Sequence, residues 1–354
     1  MVTESPSARV YPPKPKPGDR VAIVSPSTGR LPHTFPHVHE LGIARLRDEL
    51  GLVPVEYPTT RDPHASPADR ARDLHAAFAD PEITAILSVI GGDDQITVLK
   101  HLDAGLLRAN PKPFFGYSDN TNLLAFLWQA GVVGFHGGSI MVHLGRGGAT
   151  HPVSMASLRA ALFEPGWYEL PEPAAFSDQP GSWADVAALG TEPVARPSAG
   201  WSWHQPADRV IEAPAWGGCL EIVAWLAMAD VAMPAPGDVD GHVLFLETSE
   251  EMPGAGEVFR TLRNLGERGL LGRFSALLMG RPKAWHIRNQ TTLAERESFA
   301  AEQRGAVLEA MAAYNPDATI VFDLDLGHTD PQVIIPFGGL VRIDGQARTI
   351  AVQY

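Results

Sequence analysis

The stretch Pro111-Lys-Pro-Phe-Phe-Gly-Tyr-Ser-Asp-Asn-Thr-Asn122 joins a short apolar strand to a helix through a turn that carries a serine. Phe114-Phe115 reads as buried strand, Gly116 ends it, and Leu123 to Trp128 reads as helix. Ser118 then stands at the N-terminus of that helix, where unpaired N–H groups and the positive end of the dipole favour developing negative charge. This is the strand–nucleophile–helix logic of a nucleophile elbow, although Asn120 replaces the second glycine of G-x-S-x-G. A Ser/Asp cap on the helix explains the same residues equally well.

Outward from this stretch, strand alternates with helix. Val21–Val24 is a buried strand ending in Ser25-Pro26-Ser27-Thr28-Gly29, and His37 to Leu50 has helical apolar spacing stopped by Gly51. Val53-Pro54-Val55 reads as an edge strand, because proline cannot donate to a ladder. Ser66-Pro67 caps a helix to about Phe78. Ala85–Ile90 is a strand running into Gly91-Gly92-Asp93-Asp94, and Val132 to His136 is another. Continuous apolar strands between amphipathic helices predict an α/β fold, a parallel sheet covered on both faces. Ligands of such sheets bind beyond the carboxyl ends of the strands, where Gly91-Gly92, Ser118 and His136 all fall.

The expected organisation is an N-terminal arm over 1–16, a nucleophile domain over 17–163, a Trp/Pro-rich connection over 164–214 and a second domain over 215–354. Trp183, Trp201 and Trp203 suggest that the connection packs on the protein or covers a site. In the second domain, Gly217-Gly218 precedes a helix, and apolar strands end at Glu247, at Gly280 and shortly before Gly327-His328. Glu247 and His328 each have an ordinary structural explanation as a strand-end carboxylate and a turn imidazole. Taken with Ser118 they supply a nucleophile, a base and a carboxylate that orients the base. The amides of Asp119 and Gly92 are candidates for the oxyanion hole, glycine allowing close backbone approach.

Gly91-Gly92, Phe115-Gly-Tyr-Ser-Asp119 with Thr121, Gly217-Gly218, Phe245-Leu-Glu247 and Gly327-His-Thr329 together resemble the LD-carboxypeptidases, whose members include the microcin C immunity-type enzymes. The resemblance runs from about Pro17 to Val341. It implies two domains, the first flavodoxin-like and the second a swivelling-type β/β/α domain, with Ser118 as nucleophile, His328 as base and Glu247 as its orienter. It implies hydrolysis, without a cofactor, of an amide beside a free carboxylate or in an aminoacyl-nucleotide conjugate. The Trp-rich connection is closer to the immunity-type branch, which makes Trp203 a candidate substrate contact. Cys219 stands where the family commonly has asparagine, and Glu251 where the immunity-type enzymes place a lysine. Arg281 and Lys283 fall near the place of a substrate-binding glutamate, and become candidate substrate contacts of reversed charge.

The composition sets limits. Of 354 residues, 45% are hydrophobic and 19% charged, an ordinary globular balance, and the net charge of −13 argues against nucleic-acid and anionic-membrane surfaces. A single cysteine excludes an intramolecular disulfide and a Cys-rich zinc site. No apolar run is long enough to span a bilayer, Met1 to Lys16 lacks a hydrophobic segment, and the default location is cytoplasmic. A homodimer is expected. His33, His37 and His39 have too few carboxylates at suitable spacing to suggest a metal, and His136 is the rival base for Ser118. The rival function is a non-catalytic two-domain protein closing on a small ligand, which would have no need of Ser118, Glu247 and His328 together.

Overall fold

A computed structural model describes residues 9–205 and 208–354. Its first sheet contains five parallel strands, β1 (Arg20–Val24), β2 (Val53–Glu56), β3 (Ile83–Ser88), β4 (Phe114–Gly116) and β5 (Gly134–His136). Their order, β5-β4-β3-β1-β2, is the flavodoxin order, and proline-bearing β2 takes the edge. Helices Pro67–Ala79, Ala104–Ala109 and Thr121–Gln129 pack together, while Pro36–Leu50 packs on the Ile140–Leu144 turn. Ser66 and Asp69 form a reciprocal capping box on the Pro67–Ala79 helix.

The remaining strands are β6 (Trp167–Glu169), β7 (Ala175–Phe176), β8 (Arg196–Pro197), β9 (Ser202–His204), β10 (Val210–Cys219), β11 (Val243–Glu247), β12 (Ala276–Gly280), β13 (Thr319–Leu324), β14 (Ile335–Phe337), β15 (Leu340–Asp344) and β16 (Thr349–Gln353). Eight of them form the second sheet, in the order β6-β16-β15-β10-β11-β12-β13-β9. Its β10–β13 core is parallel, and the flanking strands run antiparallel. Strand β14 leaves this sheet and pairs antiparallel with β5, so the C-terminal chain supplies a sixth strand to the first sheet.

Two segments differ from expectation. Residues 1–8 of the expected loose arm lie outside the described residues, but residues 9–16 are held. The Leu340 amide donates to the Tyr11 hydroxyl at 2.7 Å, Val10 bridges Val132, and the Arg9 guanidinium lies 3.9 Å from the Trp128 ring centre. Prolines keep this segment extended, so side chains fix it where a ladder cannot. The expected connection over 164–214 is largely part of the second sheet, providing β6 at one edge, β9 at the other and the start of β10. Between them the β7–β8 hairpin forms a strap, and Ser177 of this strap exchanges backbone hydrogen bonds with Asp330. Trp183 packs edge-on to Phe35 with ring centres 5.9 Å apart, and its carbonyl accepts from His37 Nε2 at 2.7 Å.

The two sheets meet closely at Gly218. Its φ is +117°, and a Cβ there would lie 2.5 Å from Thr121 Cγ2, while the next amide, Cys219, donates to Thr121 Oγ1 at 3.1 Å. Gly218→Ala is therefore expected to cost about 2 kcal/mol or more through backbone strain and the clash, with Thr121→Ala in the same chain restoring part of the loss. Urea-unfolding midpoints of the two single variants and the double variant check this, and simple additivity would refute it.

Candidate active site

Ser118 opens a single 3₁₀ turn, Ser118–Asn120, between β4 and the Thr121–Gln129 helix. Its φ of +61° is the left-handed conformation that a non-glycine residue adopts only under constraint. Gly91 makes room for it, since a Cβ at that position would come within 2.9 Å of Ser118 Oγ. Gly92 is wedged against Ser27, whose Cβ would lie 2.8 Å from a Gly92 Cβ.

Behind the serine a buried amide network fixes the turn. Gln95 Nε2 donates to Asn120 Oδ1 at 2.9 Å and Gln95 Oε1 accepts from the Leu123 amide at 2.9 Å. Asp119 accepts from the Gln95 amide at 3.0 Å and from Asn122 Nδ2 at 2.8 Å. Burial raises the Asp119 carboxyl to a pKa of about 6, with hydrogen bonds from the Gln95 amide and Ser27 working against the rise. Asp119 thus braces the turn through its side chain and leaves its amide, with that of Gly92, without an acceptor among the described residues.

The second domain brings up the other half. Register pairs Cys219 with Glu247, so β10 sets Glu247 one strand from the Thr121 contact. Glu247 is fully buried. Glycines flank it on both sides, for a Cβ on Gly280 or Gly327 would lie 2.7 Å or 2.6 Å from Glu247 Cβ. His328 Nδ1 lies 2.6 Å from Glu247 Oε2, and its ring centre is 4.9 Å from that of Tyr117, the residue before Ser118. Sequence reasoning missed Glu250, whose Oε2 lies 3.2 Å from His328 Nε2. Nothing in its spacing marks it, because a turn decides which of three neighbouring polar residues points inward. Burial works to lower the His328 pKa, but Glu247 and Glu250 outweigh it and hold the imidazole at about 9.

The other candidates are distributed differently. His136, the rival base, is buried between Tyr117 and Phe245, and burial lowers its pKa to about 4. Burial also drives the Cys219 thiol well above its ordinary range, so this cysteine is no thiolate nucleophile. Arg281, expected at the substrate, is instead taken up internally by Asp325 at 3.3 Å, Ser198 Oγ at 2.9 Å and the Phe176 ring at 4.0 Å. Trp203 sits on edge strand β9, paired with Val321, and is a sheet residue with no contact to the triad candidates. Lys283 is buried beyond β12 on the side of Glu250. Among the described residues no group of three or more His, Cys, Asp or Glu side chains is placed to hold a metal.

A serine on a strained strand–helix turn, with a carboxylate-bound imidazole from a second α/β domain against the same turn, defines a hydrolase of the serine-peptidase class. Residues 21–137 match the LD-carboxypeptidase N-terminal domain and residues 212–343 the LD-carboxypeptidase C-terminal domain, and the chain belongs to this family. The Escherichia coli microcin C7 self-immunity protein MccF is 24% identical over 80% of this chain and 78% of its own. A Bacillus subtilis protein named "Probable murein peptide carboxypeptidase" is 25% identical over 95% of this chain and 92% of its own. Among solved structures, an MccF-like protein from Streptococcus pneumoniae in complex with AMP superposes with a TM-score of 0.83 at 28% identity, covering 95% of this chain and 99% of that one.

The two carboxylates around His328 have a measurable consequence. Its pKa lies above the ordinary histidine value, so the stability this cluster contributes is complete below about pH 6.5 and is lost as pH rises through about 9. In an NMR titration of the free enzyme, His328 is expected to stay protonated until that upper range. Glu250→Gln should lower the midpoint by about one pH unit; an unmoved midpoint would remove Glu250 from the electrostatics of the imidazole.

Proposed function

We propose that Ser118 is the nucleophile, His328 the general base, Glu247 the residue that orients it, and the amides of Gly92 and Asp119 the oxyanion donors. The observation that carries this reading is Ser118 at φ +61° on a helix N-terminus, with the Glu247-bound His328 ring packed on the adjacent Tyr117. In this mechanism His328 Nε2 takes the Ser118 proton as Oγ attacks the scissile carbonyl, and the two amides receive the oxyanion. Collapse expels the leaving amine, which takes the proton from His328. Water, deprotonated by the same nitrogen, then releases the acyl group.

The substrate we propose is a small molecule, either a murein-type peptide ending in a free carboxylate or an aminoacyl-nucleotide conjugate. The names of the relatives support both, and the AMP-bound neighbour supports a nucleotide in the cleft. Lys283 is the cationic contact we assign to that substrate. The non-catalytic alternative gives no role to a fully buried carboxylate bonded to an imidazole beside a strained serine. We further propose a cytoplasmic enzyme working as a homodimer. No described helix is long and apolar enough to cross a membrane, and Met228, 75% exposed on the same helix as Trp225, offers an apolar surface for a second copy.

Glu250 occupies Nε2 in the free enzyme, so the base is available only when this carboxylate moves off. Ser118→Ala is expected to lower kcat by about 10⁴-fold or more while preserving the fold, and a fluorophosphonate should label Ser118 alone. A hydrolysis panel of murein tetrapeptide and aminoacyl-sulfamoyl or aminoacyl-phosphoramidate adenosines, with the alanine variant as blank, selects the substrate. A Ser118→Ala variant that keeps more than about a hundredth of the wild-type kcat would overturn the assignment.

A further inference from the structure

The strap side of the cleft is crowded with cations, and four of them are neutralised at short range. Arg146 pairs with Asp330 at 2.8 Å, Arg196 with Asp178 at 3.1 Å, Arg281 with Asp325 at 3.3 Å and Arg296 with Asp178 at 2.9 Å. Lys283 is different. It lies three residues beyond Gly280, whose backbone abuts Glu247, and only 6% of it is exposed. Its ammonium forms no ion pair and no hydrogen bond with any described residue, and it is not among the fully buried atoms left without a partner, so the buried stem brings Nζ to solvent. Asp178, Glu250 and Asp330 act on it electrostatically without reaching it. Each of those carboxylates already has a nearer cation, in Arg196 and Arg296, in His328 and in Arg146 respectively.

A buried stem that carries an ammonium without a protein partner to solvent leaves that charge free to take an opposite charge from a ligand. We infer that Lys283 is an anion anchor, completed by a carboxylate or phosphate of the bound substrate. This deepens the hydrolase reading and rests on it for the identity of the cleft. The anchor also has a bearing on the base. Glu250 is the carboxylate that acts on both Lys283 and His328. An anion arriving at Lys283 offsets one of the attractions on Glu250, which come from His328, Lys283 and His286, and repels it, favouring its departure from His328 Nε2. Substrate charge thereby prepares the base. Burial lowers the Lys283 pKa to about 8 against the raising effects of Asp178, Glu250 and Asp330, with Arg296 adding to the fall. The anchor is charged below that pH and is lost above it.

The test uses equilibrium binding to full-length protein carrying Ser118→Ala, so that it reads the anchor apart from turnover. Two ligand pairs separate the sources of the anion: a murein tetrapeptide against its C-terminal amide, and AMP against adenosine. For the pair that uses the anchor, the anionic member is expected to bind at least about tenfold more tightly, with the advantage declining as pH rises through about 8. Lys283→Met should abolish that advantage and Lys283→Arg should retain it. Lys283→Gln replaces the methionine variant if that one does not fold. The pair affected identifies carboxylate or phosphate. If neither pair loses its discrimination, or neither shows any, the anchor is overturned, whereas absence of hydrolysis by the Ser118-containing enzyme would instead count against the hydrolase reading.

Discussion

The active-site geometry depends on how closely the end of β10 can approach the start of the Thr121–Gln129 helix. Gly218 permits it, and the Cys219 amide bonded to Thr121 Oγ1 fixes it. From that point the second half of the site follows by parallel-sheet register. Cys219 lies opposite Glu247, Gly280 packs behind Glu247 from the next strand, and Gly327 closes over it from the loop after β13. His328 is the residue after Gly327, and its Nδ1 finds the carboxylate already in place. Three close backbone approaches, each dependent on a missing side chain, therefore bring an imidazole against Tyr117, the residue before Ser118. A methyl group on Gly280 or Gly327 would meet Glu247 Cβ at 2.7 or 2.6 Å and one on Gly218 would meet Thr121 at 2.5 Å, so at each of them something must shift.

The two domains are not free lobes on a hinge. Strand β14 pairs with β5, the Gln332 and Ile334 amides donate to Ser154 and Ser157, and the Tyr354 hydroxyl donates to the Ile334 carbonyl. Arg146 ties the loop after β5 to Asp330, next to the strap. The strand exchange makes the relative position of Ser118 and His328 a product of folding, not of ligand-driven closure. The turn after β11 is less enclosed, with Glu250 51% exposed and Met252 at a φ of +54°.

Much of this was legible in the sequence because local physics determined it. Apolar runs of strand length, the Ser66 cap and the glycine-terminated strands specify an α/β chain whose rim carries Ser118, Glu247 and His328. What was illegible depended on partners distant in the chain. Val333 to Phe337 reads as β, but nothing within it says that it joins the first sheet. The arm over 9–16 resembles a loose segment because its stability comes from the ring of Trp128 and the amide of Leu340. Arg281 and Lys283 are equivalent in sequence, two basic residues after one strand. Only the presence of Asp325 beneath the first separates a structural guanidinium from an unpaired ammonium. Glu250 was hidden for a related reason, since the direction of a side chain in a turn is set by the turn and not by its composition.

The charge pattern explains why a base should be occupied before substrate arrives. Two carboxylates on opposite nitrogens of one ring favour a proton on both, and the imidazolium is the stable state of the free site. If Glu250 remained in place, removing that proton would leave two negative charges facing a neutral ring. Under the roles proposed for Ser118 and His328, the serine proton then finds no neutral nitrogen on the imidazole, which slows attack in the free site. Displacing Glu250 lowers the proton affinity of Nε2 and frees that nitrogen in the same movement, which is the state the proposed mechanism requires. Glu247 cannot play this part, because it is fully buried and enclosed by Gly280 and Gly327. Of the two carboxylates, the enclosed one suits the orienting role proposed for it, whereas the other is 51% exposed and lacks that enclosure. In the proposed mechanism, selectivity lies less in Ser118, His328 and Glu247 than in the charge that draws Glu250 away.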